Sequence, residues 1–430
     1  MRHAPLRRLL PALVALALCG AGCGADRGPP ETIVLIVVDT LRRDHLSVYG
    51  GAVPTPHIDA LAARGEALDA NASFHQTTMS MGALFTGRTP SMESGEIQRS
   101  LMWRPNSWCG MARFMDKPEP GACLPQSLPT LGERMSDAGY TTLGVVANPL
   151  LFGDAGFARG FDHWVEVGPP RRLRGDPVEG ARRRKAALVN AAVGKALAQT
   201  AHGRLFLYVH YMDVHDWNLL GLEYAESVAA MDAGIGALLE LLQRAGRLDA
   251  AAIVFTADHG ESLGEPLFVK PAPKHGGNPS TWTVLDVPLI VAGRDAQWLP
   301  PFVRTQDLYP FLVRLAGGAV AAHPVGVEPD ELLVTERLFL TYRRGRYKSS
   351  WSRAADGSFY LVDLESDPNE TRDVAASHPA VVERQRARME ALSGALAAPD
   401  AEVDALPDEL IKRLRSLGYM QRPGDPQNSK

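Results

Sequence analysis

The stretch Ile33-Val-Leu-Ile-Val-Val-Asp-Thr-Leu-Arg-Arg-Asp44 decides the fold. Its first six residues are aliphatic, all but Leu35 are β-branched, and no polar residue alternates with them. A run this short and apolar reads as a strand buried on both faces, the habit of parallel sheets covered by helices. It ends on an acid, Asp39, and the same design returns far along the chain in Phe255-Thr-Ala-Asp-His-Gly-Glu261. In an open α/β sheet such strand ends converge at one edge, so Asp39, Asp258 and His259 are expected to meet there. Carboxylates and an imidazole around a dication are a ligand set for Mn²⁺ or Zn²⁺. A lone acid after a strand more often caps the next helix. Matched blocks in order argue for one shared site.

Working outward, Thr142–Ala147, Leu205–His210, Ala252–Thr256 and Pro288–Ala292 are further short aliphatic runs bounded by turns. Helical patterns lie between them at Leu128–Ala138, Ala186–Ala201 and Tyr224–Ala245, and Asp307–Leu315 closes this region near Gly317. Strands alternating with long helices predict an α/β fold, a mostly parallel central sheet with helices on both faces. Beyond it, Leu338–Arg343, Arg346–Trp351 and Phe359–Leu364 read as short strands with turns, followed by a charged helix over Pro379–Ala397. The expected organisation is a main domain over 31–317, a smaller unit over 318–398 and a tail over 399–430.

At the N-terminus Arg2, Arg7 and Arg8 precede the apolar run Leu9 to Leu18 and the small-residue stretch Gly20-Ala-Gly-Cys23. That order is a secretory signal over residues 1–23, and its apolar run is short for a membrane span. The Cys after small residues resembles the lipobox of bacterial lipoproteins, with Gly20 where that motif usually has Leu. It implies lipidation of Cys23 and membrane attachment in the bacterial cell envelope; ordinary cleavage near Ala25 is the alternative. Either way the chain is expected outside the cytoplasm. Of four cysteines, Cys19 leaves with the signal and Cys23 carries lipid. Cys109 and Cys123 remain as a disulfide pair in an oxidising compartment, or as two buried thiols. A net charge of −4 and a pI near 6.3 carry no nucleic-acid footprint. The basic run Arg171-Arg-Leu-Arg174 with Arg182-Arg-Arg-Lys185 reads as a solvated helix face.

With Thr77-Thr-Met-Ser-Met-Gly-Ala-Leu-Phe-Thr-Gly87 added to the two strand-end blocks, the chain resembles the sulfatase branch of the alkaline phosphatase superfamily. The likeness takes in Thr55-Pro-His-Ile-Asp-Ala-Leu-Ala-Ala-Arg-Gly65, the Tyr224 to Gly246 helix and Val287-Pro-Leu-Ile-Val-Ala-Gly293. It continues through Gly345-Arg-Tyr-Lys348, Leu361 to Arg372 and Leu414-Arg-Ser-Leu-Gly-Tyr419, so nearly the whole mature chain is covered. The resemblance implies that the C-terminal strands and helix form a small antiparallel sheet-and-helix subdomain.

It also implies a nucleophile ten residues before Gly87, at Thr77. True sulfatases have Cys or Ser there, within Cys-x-Pro-x-Arg, which is oxidised to formylglycine. Threonine cannot supply that aldehyde because its hydroxyl-bearing carbon also bears a methyl group, and Met79 and Met81 replace the Pro and Arg. Relatives that use Thr at this point are phosphodiesterases, phosphoethanolamine transferases and lipoteichoic acid synthases, and metal coordination makes an alcohol nucleophilic near neutral pH. Thr78 and Ser80 stay as neighbouring hydroxyls, and a helix N-cap is the structural role open to Thr77. Leu207-Tyr-Val-His-Tyr-Met-Asp-Val-His215 resembles the family's strand ending in Asp-Pro-His, which makes His215 a general acid for the departing oxygen. Here Val214 replaces the Pro, and a hydrogen-bonded structural histidine is the alternative reading for either His210 or His215. Lys274 or His275 lies where the family places a cation over the anionic substrate, and Arg42 joins them as a substrate-binding candidate.

The expected metal set is Asp39, Thr77, Asp258 and His259 around one divalent ion. A second metal would have to draw on Asp213, His215 and His275, at the wrong spacing. Thr40 stands where most sulfatases have a second acid, so Mn²⁺ or Zn²⁺ is favoured over a carboxylate-rich Ca²⁺ site. The implied activity is a metal-dependent hydrolysis of sulfate or phosphate esters through Thr77, on an anionic substrate that includes glycans and lipids. A phosphodiesterase or phosphotransferase acting on lipid or glycan is the second reading, and a noncatalytic anchored binding protein the third.

Overall fold

The computed structural model describes residues 28–88, 124, 126, 128–151, 153–168, 176–200, 203–265, 281–294, 296–320, 328–335, 339–352 and 357–393. Cys23, Cys109, Cys123, Lys274 and His275 lie outside the described residues, as do the signal segment and the tail. The opening apolar run is β1 (Thr32–Val38), buried along its whole length. After it come α1 (Pro56–Ala62), β2 (Gly65–Asn71), α2 (Thr77–Thr86), α3 (Leu131–Asp137), β3 (Thr141–Val146) and β4 (His163–Glu166). The chain continues through α4 (Pro177–Arg182), α5 (Ala186–Leu197), β5 (Leu205–Tyr211), α6 (Tyr224–Arg244) and β6 (Ala251–Thr256). The larger unit ends with α7 (Trp282–Leu285), β7 (Asp286–Ala292), β8 (Val303–Arg304) and α8 (Leu308–Leu315).

The sheet runs β4-β3-β5-β1-β6-β7-β2-β8. Pairing is parallel from β4 through β6, and β7 is antiparallel to both β6 and β2. The fold is therefore α/β with a mostly parallel sheet, and β1 lies in its interior, flanked by β5 and β6. Every residue of β5 and β6 is buried as well, which explains why these strands read as unbroken apolar runs. β2 escaped that reading because Gly65-Glu-Ala-Leu-Asp-Ala-Asn71 is half polar, and only its last two residues are buried.

A second sheet, β12-β11-β10-β9, is antiparallel throughout and is made from β9 (Glu331–Thr335), β10 (Phe339–Arg344), β11 (Tyr347–Ser352) and β12 (Phe359–Asp363). The helix α9 (Pro379–Ser393) buries Met389 and Leu392 against Leu333, Leu340 and Tyr342 of this sheet. Polar clamps join the two units. Glu370 bonds the Lys348 ammonium and the Trp282 N–H. The Arg343 guanidinium lies 4.3 Å over the Trp282 ring and donates to Asn71 Oδ1 at 2.9 Å.

Because β1 is covered on both sides, truncating its centre should leave a cavity that no solvent-facing rearrangement can fill. Ile36→Ala is expected to cost about 2–5 kcal/mol in equilibrium urea unfolding. A loss under about 1 kcal/mol would contradict burial on two faces.

Candidate active site

Val37 of β1 is registered opposite His210 of β5 and Thr256 of β6, so the carboxyl ends of all three strands open on one edge. Asp39 leaves β1 with its N–H donated to Tyr211 O at 3.0 Å, and Asp258 leaves β6 beside it. Asp258 Oδ1 accepts the N–H groups of Thr40 at 3.2 Å and His259 at 2.8 Å. Asp39 Oδ2 accepts Asn148 Nδ2 at 2.6 Å and lies 3.2 Å from His210 Nε2. Each carboxylate keeps one oxygen, Asp39 Oδ1 and Asp258 Oδ2, with no hydrogen bond among the described residues, although both side chains are fully buried. A buried acceptor without a partner is costly.

Asp39, His210 and Asp258 offer ligand atoms all within 4.8 Å of one another. Burial opposes ionisation of Asp39, but the His210 hydrogen bond and the imidazoles of His215, His210 and His259 outweigh it, holding its carboxyl below the usual range. Burial and the charge of Asp39 push Asp258 the other way, upward. Burial disfavours the His259 imidazolium, yet Asp258 and Asp39 outweigh that and raise its pKa. Two adjacent carboxylates, two orphaned oxygens and nearby imidazole nitrogens fit a divalent cation, which would supply the missing positive charge.

Local backbone chemistry sets these positions. Thr40 has φ of 59°, a left-handed conformation that costs a β-branched residue about 1–3 kcal/mol. The turn it makes aims its N–H at Asp258, while its carbonyl accepts Tyr224 Oη at 2.7 Å. Gly260 is required by packing: a Cβ there would lie 2.1 Å from Thr283 O, and its N–H donates to Val284 O at 2.7 Å. Gly260 O accepts His259 Nδ1–H at 2.7 Å, which leaves the Nε2 lone pair turned into the site.

Thr77 is the first residue of α2, whose N-cap is Gln76 and has no side-chain cap. Its Oγ1 lies 3.4 Å from Asp39 Oδ2 and 3.4 Å from His259 Nε2, so the hydroxyl faces the acids rather than capping the helix. Gly87, at φ 68°, ends α2 in the left-handed cap that glycine adopts without strain. Met79 and Met81 are buried in the main core. Ser80 Oγ donates to Asp258 O at 2.5 Å.

His215 sits in a short 3-10 turn after β5. Its Nδ1 is 3.1 Å from Asp216 Oδ1, and Asp216 is paired with Arg184 through Nε at 2.7 Å and Nη2 at 2.6 Å. Of the basic run read as a solvated face, Arg184 departs: it is 3% exposed, because a buried carboxylate awaits it, whereas Arg182 is exposed and residues 171–174 lie outside the described residues. Asp213 lies 4.0 Å from Lys185 Nζ, and burial pushes its carboxyl up to about 6. Arg42, the substrate-binding candidate, is buried beside the first strand end. Its Nε and Nη2 donate to Asp44 at 2.9 and 2.6 Å, and its Nη1 pairs with Glu265, so the fork is committed to neighbouring carboxylates.

Sequence reading missed Asn148 as a site residue and left His210 open as a structural histidine. Asn148 follows β3 as Asp39 follows β1, and that strand-end position was the available signal. His210 lies within an apolar strand, where its role shows only once β5 is placed beside β1.

The fold and site define an α/β protein of the alkaline phosphatase superfamily kind, with its polar centre at the strand ends of a mostly parallel sheet. The Sulfatase family model matches residues 31–318, and the chain belongs to the sulfatase family. The chain is 28% identical over 311 residues to N-acetylgalactosamine-6-sulfatase of Rattus norvegicus, covering 63% of this chain and 56% of that protein. It spans from about a third to just over half the length of the curated relatives it matches. Among solved structures, a 2-O GAG sulfatase aligns with a TM-score of 0.64 at 16% identity, over 93% of this chain and 96% of that one. A phosphonate monoester hydrolase of Agrobacterium radiobacter aligns with a TM-score of 0.59 at 17% identity, over 85% of this chain and 95% of that one.

If the acidic pair holds a cation, Asp258→Ala should lose stoichiometric metal by inductively coupled plasma mass spectrometry while keeping its far-UV circular dichroism. A folded Asp258→Ala protein with a full metal complement would refute the assignment.

Proposed function

We propose that this protein is an extracytoplasmic hydrolase of sulfate or phosphate esters that uses Thr77 as nucleophile and one divalent metal ion. The observation that carries the reading is the placement of Thr77 Oγ1 at 3.4 Å from both Asp39 and His259, on the edge where the buried carboxylates gather. Asp39, Asp258, His259 and Thr77 would hold the ion, with the His210 imidazole adjoining them, and Mn²⁺ or Zn²⁺ suits that donor set better than Ca²⁺. A cation bound there lowers the pKa of a coordinated hydroxyl and draws charge from the anionic ester oxygens.

The chain's own groups carry the remaining steps. Thr77 Oγ1 loses its proton to solvent and forms the bond to phosphorus or sulfur. His215, with Nδ1–H held by Asp216, protonates the departing ester oxygen from Nε2 as the old bond breaks. Water then attacks that phosphorus or sulfur, giving a proton to His215 as the bond to Thr77 Oγ1 breaks, and Thr77 Oγ1 takes up a proton from solvent. Lys274 or His275 is proposed to meet the anionic oxygens of the substrate. The absence of an oxidisable Cys or Ser at position 77 favours phosphoesters over sulfate esters as substrates. Likeness to both a GAG sulfatase and a phosphonate monoester hydrolase supports the anionic ester class and leaves glycan and lipid carriers both within it.

Thr77→Ala is expected to abolish turnover of a panel of aryl sulfates, phosphates and phosphodiesters with metal still bound. Thr77→Ser should retain measurable activity, and acid quenching during phosphoester turnover should yield phosphothreonine in the peptide around Thr77. Wild-type turnover by Thr77→Ala would remove the nucleophile assignment. The anchor is tested separately: Cys23→Ala should shift the protein from the membrane to the soluble fraction or block its processing. Equal membrane association of mutant and parent would end the lipoprotein reading.

A further inference from the structure

We infer that Arg184 is a positioning residue for catalysis, acting through Asp216 to fix the tautomer and orientation of His215. This rests on the reading of His215 as the acid that protonates the departing oxygen. Arg184 lies between α4 and α5, outside the strand-end cluster, yet only 3% of it is exposed, and Asp216 is 1% exposed. The guanidinium meets the carboxylate with two parallel bonds, Nε to Oδ2 at 2.7 Å and Nη2 to Oδ1 at 2.6 Å. Such a fork fixes the plane of the carboxylate as a single ammonium cannot. The Oδ1 held in this way is the atom that lies 3.1 Å from His215 Nδ1.

A carboxylate oxygen is an acceptor only, so the proton of that contact belongs to Nδ1. A neutral His215 then carries its lone pair on Nε2, and the charged ring presents Nε2–H, the proton that a departing alkoxide takes up. The geometry is that of a base or acid held in one tautomer by a buried carboxylate. The guanidinium beyond it balances the carboxylate's charge, so Asp216 stays ionised and in plane without being drawn away from the ring. Burial opposes that ionisation, and Arg184 and His215 outweigh it.

The test is Arg184→Lys, which keeps the charge and removes the fork, assayed beside His215→Ala and the double variant. The probes are phenyl phosphate, whose leaving oxygen needs a proton, and 4-nitrophenyl phosphate, whose leaving oxygen needs it less. Arg184→Lys should lose on the order of 10- to 100-fold in kcat on phenyl phosphate, clearly less on 4-nitrophenyl phosphate, and nothing further in the His215→Ala background. The ring is also read without substrate: in ¹⁵N-histidine NMR, the His215 signal should show protonated Nδ1 in the parent and lose that single tautomer in Arg184→Lys. Should Arg184→Lys not fold, Asp216→Asn, which keeps an oxygen for Nδ1 and removes its charge, is read in the same way. Equal losses on the two esters, with His215→Ala still discriminating between them, would overturn the role of Arg184 alone. No discrimination by His215→Ala would overturn the acid itself and this inference with it.

Discussion

Two carboxylates held out of water at the ends of adjacent parallel strands constrain everything around them. Asp39 and Asp258 are both fully buried, and like charges so placed raise each other's cost of ionisation. The protein answers with donors: two backbone N–H groups on Asp258 Oδ1, an amide and an imidazole on Asp39 Oδ2. Those donors satisfy one oxygen of each acid and leave the other without a hydrogen bond among the described residues. The strained Thr40 follows from the same constraint, because its left-handed turn brings one of those N–H groups within reach. A β-branched residue in that conformation is tolerated when surrounding bonds over-determine it, and here the Tyr224 hydroxyl grips its carbonyl while accepting the Arg42 N–H at 2.9 Å.

The same field explains how the chain handles its cations. Arg42 sits within the first strand-end turn, where a free guanidinium would compete with a metal ion for the acids. It is instead engaged by Asp44 and Glu265, and also donates to Glu261 O. Arg184 is likewise absorbed by Asp216. Both arginines are buried and paired with carboxylates, Arg184 with the buried Asp216 and Arg42 with the half-exposed Asp44 and with Glu265, so each contributes orientation without placing an uncompensated positive charge beside Asp39 and Asp258. Buried pairs of this kind add little net stability, since desolvation offsets most of the attraction. Their contribution here is geometric.

How much of this was legible in the sequence follows the burial of the elements. β1, β5 and β6 declare themselves as apolar runs because both faces are covered, and their shared edge then brings Asp39 and Asp258 together. β2 does not, because Glu66 and Asp69 face solvent, and no periodicity separates such a strand from a loop. Within the site, the charged residues just beyond strand ends are legible, whereas His210 lies within β5 and Asn148, though it also follows a strand, is a neutral amide whose 2.6 Å bond to Asp39 appears only in the fold. Arg184 was misread for a different reason. A charge run carries no mark of which member meets a buried partner 32 residues later, and that pairing exists only once α5 is laid beside β5.

Position 77 is where chemistry and family pattern part. An aldehyde-forming residue there needs a surrounding sequence that an activating enzyme can read, and in this chain the neighbouring pattern positions carry Met79 and Met81. Both are buried in the core, which is a role the hydrophobic faces of α2 can fill without any recognition function. The helix has thus kept what any hydroxyl nucleophile needs, a side chain on its first turn facing the acids and a left-handed glycine cap at its end. It has replaced what only the aldehyde chemistry needs. Thr77 meets the first requirement with a hydroxyl whose added methyl restricts χ1, so fewer rotamers compete with the one that points at Asp39 and His259. Under the proposed role of Thr77 as nucleophile, that restriction would be a reason for threonine rather than serine, since the hydroxyl would be held before substrate arrives.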